Sequence, residues 1–411
     1  MESYKYLVVG GGIAGQRACH GIRRVDQKGT MALVAREDHL PYQRPPLSKG
    51  YLLGKEGLDH VYLREEAYYA ENEIEVLIGV GAKSIDRRAH SITLDDGRVL
   101  KYEKLLLATG GRAWSPPIAG NDLPGVFTLR TIEDSDGIRQ AAKPGRQTLV
   151  IGGSFMASEV ASSLAQLGLK VTMVFPSGRL LERVMPEEVG SFLHTKYESN
   201  GVRILAERRL RSLEGDGKAE RALLEDGESL AVDLVVMGVG IRLNTELARE
   251  ADLKLGEKNA VVVDEYLRTS DPDIYAAGDI ALYPHPIFDK RLQVEHWDVA
   301  RGQGLRAGGN MAGQERPYRD LPHFFSDVFD LSYEVWGDLS SWDRTVLQGT
   351  PEQGSFAVYY FALGRMVGVL AAGRSEEEHK QMQALVTARL AYEKVADKLR
   401  DERVDLSTLL K

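Results

Sequence analysis

Two apolar strands in this chain each run into a glycine turn and then a helix. The first reads YKYLVVGGGIAGQ and carries Gly10, Gly12 and Gly15; the second, RQTLVIGGSFMASEV, repeats the layout with Gly152, Ser154 and Ala157 in the matching places. In such a unit the first glycine makes a tight turn, the second lets the backbone approach a pyrophosphate, and the third lets the helix lie close to the sheet. The helix N-terminus then offers free N–H groups and positive potential to phosphate. Each unit runs on into another strand, TMALVA and LKVTMVF. Glu37 follows the first of these, about 20 residues past its loop, where a ribose hydroxyl is commonly gripped. Two βαβ units predict an α/β fold with two Rossmann-like domains. They point to one tightly held flavin dinucleotide and one exchangeable nicotinamide dinucleotide.

The second loop is edited. Ser154 adds a side chain where a ligand's backbone contact is close, but its hydroxyl can donate to phosphate; Ala157 adds one methyl between helix and strand. A loop that releases its ligand at each turnover tolerates the weaker grip that a permanent FAD loop does not. Further on, IYAAGDIA puts Gly278 and Asp279 after a short strand. There the acid either binds a polyol hydroxyl or caps the next element.

Composition removes several function classes. A net charge of −8 disfavours nucleic acid as the main partner. No apolar run is long enough to span a bilayer, and the N-terminus lacks a basic segment followed by an apolar one. A cytoplasmic protein without membrane contact, monomer or homodimer, is expected, and no metal. The single cysteine, Cys19, excludes an internal dithiol centre. On the first loop's helix it reads as a packing thiol rather than a nucleophile.

HLPYQRPPLSKG, LLLATGG, IYAAGDIA, VEHWDVARGQG and LPHFFSDVFDLSYEVWGD together resemble the two-dinucleotide flavoprotein reductases. The branch is that of ferredoxin and rubredoxin reductases, monodehydroascorbate reductases and apoptosis-inducing factor. The resemblance covers essentially the whole chain. It implies an FAD domain of residues 1–112 and 243–321, an inserted NAD(P)H domain of residues 113–242, and a C-terminal α+β domain of residues 322–411. The last is read as strands LSYEVWG, RTVLQG, FAVYYFA and RMVGVLAAG followed by a helix whose capping box is Ser375 with Glu378.

The same resemblance implies the site. Gly10, Gly12, Gly15 and Glu37 would hold the adenosine half of FAD, with Arg44, Pro45, Ala82, Thr109, Gly110 and Asp279 also on the cofactor. Glu295, His296 and Trp297 would line the pyrimidine end of the flavin, and Phe325 would lie against the ring. Without the family, Lys49 reads as a surface lysine after a turn, and His296 and Trp297 as a helix start with a core aromatic. With it, Lys49 lies near the flavin N5 edge and pairs with Glu159 as the catalytic couple. Gly152, Gly153, Ser154, Phe155, Met156 and Gly240 would surround the nicotinamide nucleotide. Relatives that use NADH often carry an acid at the position of Phe175 or Ser177; here neither is acidic and Arg179 follows. If Arg179 faces the nucleotide rather than solvent, it favours NADPH, with NADH also accepted.

With no dithiol, electrons must leave the flavin directly. The first expectation is a small iron–sulfur protein as acceptor, which would need a local basic patch on this acidic chain. The second is a small organic radical or quinone, for which Arg301 is the matching substrate arginine. A redox-responsive binding flavoprotein is the third, although the long C-terminal insertion expected of that type is missing.

Overall fold

The computed structural model describes residues 2–411 and divides the chain into two compact units. Among the described residues the first gathers 2–43, 58–112 and 242–324; the second gathers 44–57, 113–241 and 325–411.

In the first unit the strand Glu2–Val9 sits mid-sheet, buried from Tyr6 onward. Parallel neighbours run outward on both sides. Met31–Val34 and then Ile74–Leu77 lie on one side; Val99–Leu107 lies on the other, with Ile274–Ala276 pairing along its end. Parallel pairing with both faces covered explains why these strands read as continuous apolar runs. Ser91–Leu94 and Ala82–Asp86 extend the sheet as an antiparallel meander.

The glycine-loop helix Ile13–Arg23 packs against the helix Trp297–Met311 at backbone contact. A Cβ on Gly304 would lie 2.1 Å from the Ala14 carbonyl oxygen, and one on Gly308 the same distance from that of Ala18. Gly304 and Gly308 of ARGQGLRAGGN are therefore required by packing.

The second unit contains a parallel sheet of five strands in the order Arg203–Leu205, Lys170–Val174, Gln147–Ile151, Leu234–Met237 and Val126–Thr128. It also contains the antiparallel sheet ordered His323–Val328, Leu331–Gly337, Arg365–Ala372, Ser355–Ala362 and Arg344–Thr350. Helix Glu376–Thr387 follows, with the Ser375–Glu378 capping box formed.

Two features of this division differ from the sequence reading. Residues 44–57, expected with the FAD segment, pack within the second unit. Their buried carbonyls accept hydrogen bonds there, Leu47 O from Ser135 Oγ at 2.8 Å and Ser48 O from Ser163 Oγ at 2.6 Å. Of residues 322–411, expected as a separate domain, 325–411 cluster with the inserted segment. The Phe329 N–H donates to Ser162 Oγ at 2.8 Å, the Tyr197 and Phe329 rings meet edge-on at 5.1 Å, and Lys196 pairs with Asp330 at 2.5 Å.

Candidate functional site

The first glycine loop has the form of a pyrophosphate cradle. Gly10 has φ +134°, and a Cβ there would strike the Ala108 carbonyl oxygen at 2.1 Å. A Cβ on Gly15 would sit 1.9 Å from Gly10 O, so helix and loop touch. Gly12 differs: a Cβ there would meet nothing within 4 Å, and no side chain caps the helix it starts. The first-turn N–H groups therefore face a clear approach, which suits phosphate. Beyond the next strand, Glu37 accepts a hydrogen bond from Tyr42 Oη, which fixes the carboxylate.

Several other predicted FAD residues lie in the same unit, whereas Arg44, Pro45 and Phe325 fall in the second. Thr109 Oγ1 donates to Asn244 O at 2.5 Å, and Asn244 Nδ2 donates back to Thr109 O at 3.0 Å; Gly110 has φ +57° and accepts from the Asn244 N–H. Asp279 is buried next to Gly278, whose N–H donates to Gln303 Oε1 at 2.8 Å. Ala82 is buried at the start of its strand. His296 stacks on Phe324 at 4.1 Å, and burial pushes its imidazole down to about 4, with the Asp279 charge pulling the other way. A neutral ring results at physiological pH. Trp297 Nε1 is buried without a hydrogen-bond partner, an orphaned donor of the kind a bound cofactor would satisfy. Glu295 is exposed and accepts from Gln293 Nε2 at 3.1 Å. These residues fit FAD.

The second unit brings the predicted couple together. Glu159 stands on the helix Phe155–Gln166 that follows the second loop, and Lys49 ends the short 3-10 turn Pro45–Ser48. Their charges are 3.3 Å apart. Lys49 Nζ lies still closer, 2.7 Å, to Asp327, and 4.6 Å from the centre of the Phe325 ring. Glu159 also accepts from Ser48 Oγ at 2.6 Å and from Ser326 Oγ at 2.7 Å. Burial raises the Glu159 pKa, opposed by the Lys49 charge and both serine hydroxyls. Burial pushes the same way at Asp327, but hydrogen bonds from Lys49 and Ser332 outweigh it, so that carboxyl is held below the ordinary range. A desolvated cation is thus shared by one carboxylate that resists ionising and one that favours it. Ser48, Ser326 and Asp327 escaped sequence reasoning, although all three lie within the PPLSK and FFSD motifs. Arg44, one residue before Pro45, donates to the Arg130 carbonyl.

The second loop needs a correction. Ser154 Oγ does not point out as a phosphate donor: it donates to Gly238 O at 2.9 Å and accepts from the Ala157 N–H at 3.4 Å, capping the helix. The Ala157 methyl is accommodated because residue 238 is glycine, where a Cβ would lie 2.7 Å from it. Gly152 has φ +121° and abuts Gly238 O; Gly240 is exposed, and a Cβ there would meet nothing within 4 Å. Phe155 lies 6.2 Å from the Tyr333 ring, and Met156 is half-buried beside it. Arg179 packs along helix Glu187–Ser199 at Gly190.

Sequence models place this chain in a known family. Residues 4–304 match the pyridine nucleotide-disulphide oxidoreductases, and residues 323–410 match the reductase C-terminal domain. The chain belongs to the pyridine nucleotide-disulphide oxidoreductase family. It is 34% identical to the ferredoxin–NAD(+) reductase component of an anthranilate 1,2-dioxygenase system from Burkholderia cepacia, over 90% of this chain and 91% of that one. It is 33% identical to a monodehydroascorbate reductase from Arabidopsis thaliana, over 99% and 98%. A covalent putidaredoxin reductase–putidaredoxin complex contains a chain that superposes with a TM-score of 0.94 at 32% identity, covering 100% of this chain and 98% of that one. The fold is therefore that of the ferredoxin reductases, and the protein is an FAD-dependent NAD(P)H oxidoreductase.

The family name includes disulphide chemistry that this chain does not carry out on itself. Cys19 is the sole cysteine, and burial pushes its thiol up to about 12.

Proposed function

We propose that this reductase takes electrons from a nicotinamide nucleotide and passes them to a small iron–sulfur protein of the ferredoxin or rubredoxin type. The observation that carries this reading is the end-to-end likeness to the reductase chain of a reductase–putidaredoxin complex, in a chain with no second thiol. Bound FAD would accept a hydride and release its electrons one at a time. The protein's own residues do the rest. The uncapped first loop and Glu37 hold the adenosine half, and Asp279 and Trp297 contact the remainder. Phe155, Gly240 and the second loop seat the nicotinamide nucleotide. Lys49, fixed by Glu159 and Asp327, supplies the cation at its reacting end.

A basic patch in the first unit suits an acidic carrier. Arg17 is lowered by burial and then by the nearby charges of Arg301 and Arg64. His20 is lowered by burial and by Arg17, Arg24 and Arg64. Arg24 and Arg64 are exposed, and Arg301 is paired with Asp298 at 2.7 Å. A cytoplasmic location completes the proposal; among the described residues no helix is long and apolar enough to cross a membrane.

The Arabidopsis relative favours a second reading, reduction of a small organic radical. One experiment separates the two. The enzyme is reduced anaerobically and mixed with either a ferredoxin or enzymatically generated ascorbate radical, and flavin reoxidation is followed. Rapid reoxidation by ferredoxin that weakens steeply with salt supports the first reading. Rapid reoxidation by the radical alone rejects it.

A further inference from the structure

If the second glycine loop is the nicotinamide nucleotide site, on which this inference rests, its ribose should lie near the end of the next strand. That strand is Lys170–Val174, and such folds place a carboxylate for the ribose hydroxyls at its end. Here the strand runs into Phe175, Pro176 and Ser177, none of them an acid. Phe175 is turned inward, 1% exposed, with its Cγ 3.1 Å from where a Cβ on Gly153 would stand. Ser177 Oγ donates to the Arg179 carbonyl at 2.9 Å.

Arg179 is half-buried against the helix Glu187–Ser199. Its Cδ and Nε both lie 3.3 Å from the Cβ position of Gly190, and its Nε is buried without a hydrogen-bond partner. Arg208, whose backbone N–H bonds Phe175 O, is paired through its side chain with Asp226 and Glu228. Arg183 is exposed.

The chain then doubles back. Leu181 adopts φ +53°, and its N–H donates to Gly153 O at 3.1 Å. That bond ties the segment to the glycine loop. The next residue, Glu182, is half-buried and turns its carboxylate onto the strand-end turn. Oε2 accepts from the Gly178 N–H at 3.2 Å, and Oε1 lies 3.4 Å from the Cβ position of Gly178. One hydrogen bond to the backbone orients the group and leaves most of its acceptor capacity for a ligand.

We propose that Glu182 is the specificity-determining residue of the nicotinamide nucleotide site, replacing the absent strand-end acid and selecting the free ribose diol of NADH over the 2′-phosphate of NADPH. A carboxylate accepts hydrogen bonds from both hydroxyls of the diol. A 2′-phosphate has no hydroxyl to donate at that position and brings negative charge toward the carboxylate. This replaces the expectation that Arg179 favours NADPH.

The test is anaerobic stopped-flow reduction of the FAD-loaded enzyme by NADH and by NADPH, for wild type, Glu182→Gln, Glu182→Ala and Arg179→Leu. Wild type is expected to favour NADH. Charged hydrogen bonds of this kind predict that Glu182→Gln and Glu182→Ala lower the NADH/NADPH ratio of reduction efficiency by about tenfold or more. The change should sit in the apparent Kd, with the limiting rate of flavin bleaching unchanged. Arg179→Leu should leave the ratio within about threefold of wild type. Three results would overturn the proposal: a wild-type preference for NADPH, a ratio unmoved in both Glu182 variants, or equal loss of both nucleotides, which would make Glu182 only a brace for its turn. Failure of both nucleotides to bleach any variant would reject the assignment of the loop itself, and this inference with it.

Discussion

Replacing Lys49 with methionine tests the central charge arrangement. The substitution keeps the length of the side chain and removes its charge. Glu159 would then be a buried carboxylate with two serine donors and no cation. Breaking a buried pair by removing one partner costs about 3–5 kcal/mol, because the other charge stays buried. The lower end applies, since the Lys49 and Glu159 side chains keep 16% and 11% exposure. Asp327 contributes little to the loss, as its side chain is 46% exposed and regains water.

The pH dependence follows from the sign of the shift. Glu159 already has a raised pKa, and loss of Lys49 removes the main charge opposing that rise. A carboxyl with a raised folded pKa binds its proton more tightly in the folded state. Its contribution to stability is present below the unfolded pKa and is lost as pH rises through the folded one. The Lys49→Met penalty should therefore be about 3 kcal/mol at pH 8 and clearly smaller at pH 5. Glu159→Gln added to Lys49→Met removes the charge, keeps a partner for Ser48 and Ser326, and should recover most of the loss at pH 8. Urea midpoints followed by tryptophan fluorescence at the two pH values give the answer. An equal penalty at both pH values, or no recovery in the double variant, refutes the reasoning.

Three further expectations concern the loops and Asp327. Gly12→Ala should leave secondary structure and melting unchanged while lowering FAD retention on gel filtration, because its Cβ meets no protein atom; Gly15→Ala, with its Cβ on the Gly10 carbonyl, should damage folding itself. Gly238→Ala should destabilise by about 1–3 kcal/mol through overpacking against Ala157, and adding Ala157→Gly should return part of that in thermal melts. Asp327→Asn removes the shorter contact to Lys49 and leaves Glu159 as its carboxylate partner. It should alter the limiting rate of flavin reduction and shift the acid limb of its pH profile to lower pH. Nucleotide Kd should stay near the wild-type value, whereas a purely structural role would leave the pH profile in place.

Strands showed in the sequence wherever a buried parallel strand leaves a continuous apolar run, as in KYLVV and TLVIG, and the glycine turns marked where the next helices begin. The strand His323–Val328 did not show, because HFFSDV mixes polar and aromatic residues without alternation. Lys49 and Glu159 were reachable through family motifs. Their serine partners were not, since Ser48 and Glu159 are 111 residues apart and Ser326 and Glu159 are 167 apart. A hydroxyl carries no sequence signal for the carboxylate it will meet. The same holds for Asn244 on Thr109 and for Glu182, whose role depends on a left-handed turn at Leu181.

Comparison of the two loops gives a physical reason for editing one and keeping the other. Ala157 does not crowd its loop, because Gly238 makes room for the methyl on the neighbouring strand end. The departure from G-x-G-x-x-G is compensated by a glycine 84 residues beyond Ser154. Capping is what separates the loops. The first helix starts at Gly12 with no side-chain cap, so a phosphate satisfies N–H groups that have no other side-chain partner. The second helix starts at Ser154, whose hydroxyl already accepts from one of those groups, in a long bond of 3.4 Å. A ligand there competes with an internal cap and gains less. Substituting a cap serine by glycine costs only a few tenths of a kcal/mol. Ser154→Gly should therefore leave the fold intact, tighten nucleotide binding and slow release of the oxidised nucleotide. Stopped-flow displacement of bound nucleotide measures that rate directly, and an unchanged or faster release would show that the cap is not what makes the second loop an exchange site.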